Sequence, residues 1–134
     1  KDTNTVYQGA YLNGEIHGQG TCTWSNGTRY SGNWSHGTMD GYGTYTWSDG
    51  SSYTGQYKNG IRHGQGTHRW SNGTTYEGSF VEGKMQGYGT MRYAGGSVYQ
   101  GEFYGDKLHG YGTMTYADGT SVTGYWEMDK YIGN

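Results

Sequence analysis

The chain has no proline, one cysteine and no long hydrophobic run, and each shortage excludes a class of protein. With Cys22 alone, a disulfide framework and a cysteine metal cluster are both excluded. No stretch approaches the roughly 20 apolar residues that a membrane-spanning helix needs. The net charge of −2 does not fit a basic nucleic-acid-binding protein, so we expect no nucleic-acid partner.

Aliphatic residues are also scarce, since only 31% of the 134 residues are hydrophobic. Such a low apolar content is typical of disordered chains. The aromatic content of 17% argues against disorder, because tyrosine and tryptophan each bury a large area. We therefore expect a core made mainly of aromatic rings.

The dominant feature of the sequence is a 23-residue period. All but Gly95 and Gly105 of the 28 glycines fall in five columns of this period. A fixed period between 20 and 50 residues indicates a repeat array. The tyrosine column contains Tyr7, Tyr30, Tyr53, Tyr76 and Tyr99, with Val122 in the sixth slot.

Each repeat has the pattern of two short strands. Residues 41–47 and 51–57 are rich in β-branched and aromatic residues, and residues 48–50 and 58–60 interrupt them with glycine-containing breaks. Strands of about seven residues joined by short loops indicate a β-meander. The predicted fold is therefore all-β: an elongated, single-layer antiparallel β-meander solenoid of about six hairpin repeats. The repeats begin near residues 7, 30, 53, 76, 99 and 122, within one domain spanning residues 1–134 that we expect to belong to a longer chain.

The loop geometry predicts which side chains share a face. A three-residue loop at residues 25–27, ending in a left-handed Gly27, pairs Cys22 with Tyr30. We expect the same left-handed conformation at Gly50, Gly73 and Gly119.

Across the second break, pairing of Trp34 with Met39 keeps the rings on the same face. In an unbroken ladder this pairing sets Gly32 opposite Gly41 and Tyr30 opposite Gly43. The face then also collects the column of Ile16, Met39, Arg62, Met85, Leu108 and Tyr131.

Glycines beside large rings let a ring lie flat on the backbone and let the strand bend. We therefore expect the sheet to curl into a trough lined by aromatic residues and methionine. Large open apolar surfaces mark interaction sites. The predicted partner-binding residues are Trp34, Met39, Tyr57, Phe80, Met85 and Phe103.

The repeats resemble the MORN (membrane occupation and recognition nexus) family. The match lies in Tyr-x-Gly-x-Trp at residues 30–34 and in His-Gly-Gln-Gly-Thr at residues 63–67. The resemblance implies an all-β solenoid with non-catalytic roles in protein docking, dimerisation and attachment to membranes or the cytoskeleton. Because no signal peptide or membrane span is visible, we expect a cytoplasmic location, and the resemblance adds contact with the cytoskeleton or a membrane. Asp106, Asp129 and Val122 depart from the family pattern, and Gly105 suggests a one-residue shift of its loop.

A second candidate surface is a cationic edge. Lys84, Lys107 and Lys130 share one column, with Arg62 beside it. Attraction to an anionic lipid leaflet is worth about 1 kcal/mol per cation, and nearby carboxylates offset part of it. The expected membrane contact is therefore weak and salt-sensitive.

The sequence predicts no catalytic, cofactor or metal site. His17, His63 and His109 lie two repeats apart, roughly 20 Å in this fold, whereas zinc ligands stand at about 2 Å from the metal. Asp49 and Asp118 occupy turn positions that asparagine fills elsewhere, which indicates turn chemistry rather than acid–base catalysis.

The predicted function is a protein-interaction scaffold that binds a partner segment, such as an amphipathic helix, or a second copy of itself. Two alternatives stay open. One is an accessory region of a lipid kinase or methyltransferase, and the other is a choline- or carbohydrate-binding aromatic repeat array.

Overall fold

A computed structural model describes residues 5–134, and residues 1–4 of the predicted domain lie outside the described part. Within the described residues, twelve strands form one antiparallel sheet in which every strand pairs with its neighbours in the chain, which confirms the predicted all-β meander. The described residues include no helix long and apolar enough to cross a membrane. The strands are β1 Val6–Leu12, β2 Glu15–Thr23, β3 Arg29–Ser35, β4 Thr38–Thr46, β5 Ser52–Lys58, β6 Ile61–Arg69, β7 Thr75–Val81, β8 Lys84–Arg92, β9 Val98–Tyr104, β10 Lys107–Thr115, β11 Ser121–Glu127 and β12 Lys130–Gly133.

The turn after β2 has the geometry that the sequence predicts. The Trp24 N–H donates to the Thr28 carbonyl at 2.9 Å, and the Gly27 N–H donates to the Trp24 carbonyl at 3.0 Å. Gly27 has a φ of 94°, a conformation that glycine adopts without steric cost. The side-chain oxygen of Asn26 accepts the Thr28 N–H at 3.0 Å, and Asp118 accepts the equivalent bond in the last such turn. Positive φ is likewise found at Gly50, Gly73 and Gly119.

The turn after β3 is tighter. Ser35 pairs with Thr38, so the turn itself contains only His36 and Gly37, both with positive φ. Two-residue turns of this kind match the twist of the flanking strands. The predicted pairing of Trp34 with Met39 is confirmed.

Beyond this turn the predicted register is wrong by two residues. Gly32 pairs with Gly43 rather than Gly41, and Tyr30 pairs with Tyr45 rather than Gly43. The reason is a β-bulge that adds two residues to β4, within which Gly41 has a φ of 97°. Because two is an even number, side chains beyond the bulge keep the predicted face. The same bulge recurs in the pairings of β1–β2, β5–β6, β7–β8 and β9–β10.

The sheet bends strongly at these bulges. Arg62 and His68 are six residues apart in β6, which would be about 20 Å along a flat strand. Their side chains nevertheless meet at 3.1 Å, and Gly64 between them has a φ of 88°. The curl buries part of the ring-bearing face: Tyr53 is 0% exposed, although the described residues form only one sheet.

Candidate interaction groove

A ladder of aromatic rings runs along the inner face of the curled sheet. Tyr53 lies flat on the backbone at Gly66, where an added Cβ would collide with its ring. Its hydroxyl donates to the Gln56 carbonyl at 2.8 Å, and burial raises its pKa to about 12, so the hydroxyl stays protonated. The rings of Tyr57 and Phe80 meet it edge-on, with centroids 5.3 and 5.1 Å away. The ring ladder consists of Tyr30, Trp34, Tyr53, Tyr57, Tyr76, Phe80, Tyr99 and Phe103.

The predicted partner-binding residues lie largely inside this ladder. Their exposed fractions are 7% for Trp34, 6% for Tyr57, 1% for Phe80, 7% for Met85 and 3% for Phe103, whereas Met39 is half-buried. Neighbouring rings already cover these side chains, so each offers little area to a partner. Their contact with a partner stays a prediction.

The open part of the inner face lies beside the ladder. Trp47, Trp70 and Tyr93 precede successive first turns and are only half-buried. Sequence reasoning placed them on the ring-bearing face without assigning them to the site. The signal was present in the sequence, since no strand glycine lies two residues from these positions, whereas Gly55 follows Tyr53 by two residues and lies beneath its ring.

These residues form one wall of a continuous groove across the second to fifth repeats. Three adjoining cavities of about 320, 270 and 480 Å³ follow one another, with Arg62 shared by the first two and Trp70 by the last two. We call this surface the interaction groove. Two ladder rings, Tyr57 and Phe80, also reach it. Its lining consists of these and Met39, Tyr45, Trp47, Gly60, Ile61, Arg62, His68, Trp70, Asn72, Thr74, Gly83, Met85, Met91, Tyr93, Asp106, Leu108, Met114 and Asp129.

Arg62 and His68 cross the middle of the groove. The guanidinium stands 5.0 Å from the centroid of the Phe80 ring and donates to His68 Nδ1. The imidazole is packed between Trp47 and Trp70, at centroid distances of 5.3 and 4.4 Å. Burial, followed by the charge of Arg62, lowers the pKa of His68 to about 4, so at neutral pH this imidazole is uncharged.

Asp106 forms part of the opposite wall. Tyr104 pairs with Lys107, so the turn contains only Gly105 and Asp106, and the one-residue shift suggested by Gly105 does not occur. Asp106 Oδ1 accepts the Met85 N–H at 2.8 Å while its own N–H donates to the Met85 carbonyl at 3.0 Å. Glycine in the same column makes only the backbone bond, so aspartate adds a second link between consecutive hairpins.

The cationic edge is smaller than the sequence suggests. Lys84, Lys107 and Lys130 are exposed, but Lys107 lies 3.7 Å from an Asp129 carboxylate oxygen. Arg62 does not join them, because its guanidinium lies over the rings inside the groove. Lipid binding by this edge stays a prediction.

The histidine column has a structural role in the contacts between hairpins. The Nδ1 atoms of His17, His63 and His109 each accept a backbone N–H from the tight turn of the next hairpin, at 3.3 to 3.4 Å. Among residues 5–134, no group of three or more histidine, cysteine or acidic side chains is placed to hold a metal ion.

Similarity to known proteins agrees with this architecture. The MORN repeat model matches five consecutive segments of the chain, residues 7–29, 30–52, 53–75, 76–98 and 99–121. No curated protein matches the sequence significantly. Repeats of this kind are generally non-catalytic modules for interaction with proteins or membranes. With consecutive repeats covering most of its length and the hairpin sheet that they build, the chain belongs to the MORN repeat family.

Proposed function

We propose that the chain is a non-catalytic docking module that binds a segment of a partner protein in the interaction groove. The observation that carries the proposal is the contrast between two sets of rings on one face. The ladder rings are buried, whereas Trp47, Trp70 and Tyr93 border an open groove.

The chemistry of the groove suits a peptide segment. Met85, Met91 and Met114, each only 6 to 9% exposed, form the packed floor of the cavity of about 480 Å³, which the half-buried Trp70 and Tyr93 border. Flexible thioethers adapt to the shape of an apolar partner, and aromatic and methionine side chains are enriched at the centres of protein interfaces. A polar small molecule would gain little binding free energy from such an apolar floor.

The length of the groove also suits a segment rather than a small molecule. Equivalent positions in consecutive repeats are two strands, or about 10 Å, apart. From Met39 in the second repeat to Met114 in the fifth, the groove therefore spans roughly 30 Å. A helix of about 20 residues has this length, and its apolar stripe would follow the methionine floor.

Selection from a displayed library of random peptides, each long enough to span the groove, tests the proposal without a known partner. Peptides selected on the unaltered chain are then measured against Trp70→Ala, with Tyr88→Ala as the control. Tyr88 is 66% exposed on the opposite face of the sheet. We expect at least tenfold weaker binding to Trp70→Ala, or about 1.4 kcal/mol, and unchanged binding to the control. Equal binding to all three proteins would place the contact surface elsewhere.

Three expectations from the sequence stay predictions beside this proposal: association with a second copy, contact with anionic lipid, and a cytoplasmic location near membranes or the cytoskeleton. Sedimentation over a range of concentrations addresses the first. Binding to phosphatidylserine vesicles by a triple glutamine variant of Lys84, Lys107 and Lys130 addresses the second.

A further inference from the structure

One repeat places a cation where the others place an apolar side chain. Arg62 occupies the column that holds Met39 and Met85 in the adjacent repeats. Its aliphatic stem and guanidinium lie in the groove, with the Cζ atom 5.0 Å from the Phe80 centroid and 5.7 Å from the Tyr53 centroid. Among the described residues that line the groove, Arg62 is the only cation, and aromatic or methionine side chains lie on either side of it.

Arg62 has hydrogen-bond partners but no ion-pair partner among the described residues. It donates to the Gly83 carbonyl and to His68 Nδ1, and both of these acceptors are neutral. Within residues 5–134, no carboxylate oxygen stands within ion-pair distance of its guanidinium, since the ion pairs found there join other residues. A half-buried cation has lost part of its hydration, so a carboxylate brought to it by a ligand restores a favourable interaction.

The charge of the groove reverses along its length. Arg62 lines the first and second cavities, Asp106 lines the second and third, and Asp129 lines the third. One oxygen of Asp106 is engaged by the Met85 N–H, and Asp129 is offset in part by Lys107. The remaining potential is positive in the third repeat and negative towards the fifth and sixth. This polarity fixes one preferred direction for a charged ligand.

We propose, on the basis of the proposed function, that the groove recognises a protein segment with an acidic side chain that pairs with Arg62 and with apolar side chains on both sides of it. The apolar side chains enter the cavity beside Trp47 and the cavity beside Tyr93. Basic or neutral residues of the segment face Asp106. Arg62 is thus the residue that sets both the position and the direction of the bound segment.

The repeat spacing gives this motif a definite length. Each apolar anchor lies about 10 Å from the acidic side chain, one repeat away on either side. That distance is about three residues of an extended chain, or six to seven residues of a helix. The spacing found in bound peptides therefore also reports their conformation.

The experiment is a selection of displayed random peptides on three proteins: the unaltered chain, Arg62→Met and the control Arg92→Met. Methionine already fills the equivalent position at Met39 and Met85, so we expect the first variant to fold, which thermal unfolding checks. Arg92 is an exposed cation outside the groove. The expected result is enrichment of one Asp or Glu flanked by apolar residues on the unaltered chain and on Arg92→Met, and loss of that preference on Arg62→Met.

Direct binding measurements then examine the same pair of charges from both sides. We expect at least tenfold weaker binding when the acidic residue of a selected peptide is replaced by its amide, and a similar loss with Arg62→Met. Because the amide replacement alters only the peptide, it tests whether binding requires the acidic side chain even if Arg62→Met does not fold. Peptides that depend on Trp70 but show no acidic preference would overturn this inference and leave the docking function intact. A library that yields no binder dependent on Trp70 would overturn both.

Discussion

The ring ladder and the interaction groove occupy the same face of one sheet, yet one is closed and the other open. In the ladder, Tyr76 is fully buried and makes edge-on contacts with Phe80 and Phe103 at centroid distances of 5.2 and 4.9 Å. In the groove, Trp70 and Tyr93 contribute to a cavity of about 480 Å³. Both regions use aromatic residues at the same 23-residue period, so residue type alone does not separate core from surface.

The difference arises from the residues that lie beneath each ring. Ladder tyrosines rest on paired glycines such as Gly78 and Gly89, which remove every side chain from beneath the ring. Tyr45 in the groove pairs across the strands with Tyr30 and Tyr53, but unlike those two rings it lies over no described glycine. Without a glycine beneath it, such a ring is held away from the backbone and keeps part of its surface open. Glycine placement therefore decides which aromatic column becomes core.

The largest expected effect is the removal of a ladder ring. Phe80→Ala should lower the free energy of unfolding by about 4 kcal/mol, because it empties a fully buried site between two tyrosines. Trp70→Ala in the half-exposed groove should cost clearly less. Urea unfolding of both variants measures the difference. Similar losses in the two would mean that the groove rings are as much a part of the core as the ladder rings.

Addition of one methyl group beneath a ladder ring should cost about 3 kcal/mol. In Gly66→Ala the new Cβ meets the Tyr53 ring, which cannot move without disturbing Tyr57 and Phe80. Gly95→Ala is the matched control, because an added Cβ there has nothing within 4 Å. Thermal or urea unfolding measures both. A stable Gly66→Ala protein would contradict the role assigned to the glycine pairs.

Acidification should weaken the fold through the groove rather than the ladder. Burial lowers the folded-state pKa of His68 to about 4 from its ordinary value of 6.5, so between these values the unfolded chain binds a proton that the folded chain excludes. The contribution of His68 to the free energy of unfolding is fully present above pH 6.5 and decreases as the pH falls. The decrease is up to about 1.4 kcal/mol per pH unit, and about 2 kcal/mol in total between pH 7 and 5.

The variant His68→Met isolates that contribution, since methionine fills the same column at Met91 and Met114. Its urea midpoint should depend less on pH between 7 and 5 than that of the unaltered chain. Asp49 and Asp118 also have lowered pKa values, owing to hydrogen bonds within their turns. The stability that they contribute to the fold is lost only below pH 3.8. Identical pH profiles of the variant and the unaltered chain would remove His68 as the cause.

The smallest expected effect concerns the turns that border the groove. Gly50→Val forces a β-branched residue to a φ of 96° and should cost about 1 to 3 kcal/mol of local strain, with little change in the ladder. Gly50→Asn should cost less, because asparagine tolerates the left-handed region. Chemical denaturation with near-ultraviolet circular dichroism separates the stability loss from any change in ring packing. Loss of the aromatic signal in either folded variant would contradict independence of turn and ladder.

Much of the fold follows directly from local sequence. The alternation within residues 41–57 and the glycine-ended loops predict the strands and the first turns, because both depend on φ and ψ preferences of neighbouring residues. Even the chosen face is correct, since the period of a strand is two and the bulge adds two residues. The glycine-to-glycine register could not be predicted, because Gly41 in a Gly-x-Gly pattern is equally suited to a regular strand and to a bulge.

The sequence by itself determined the repeat, the strands, the first turns and the face on which the rings lie. Only the tertiary structure decided which rings are accessible and which charges meet. Exposure of Trp70 and burial of Phe80 depend on how far the whole sheet curls, and that curl accumulates over bulges in successive hairpins. Arg62 and His68 lie on one face in any strand model, but they touch only because β6 bends at Gly64. Local backbone preferences set each bend, whereas the accumulated bends of the whole sheet determine the shape of the groove.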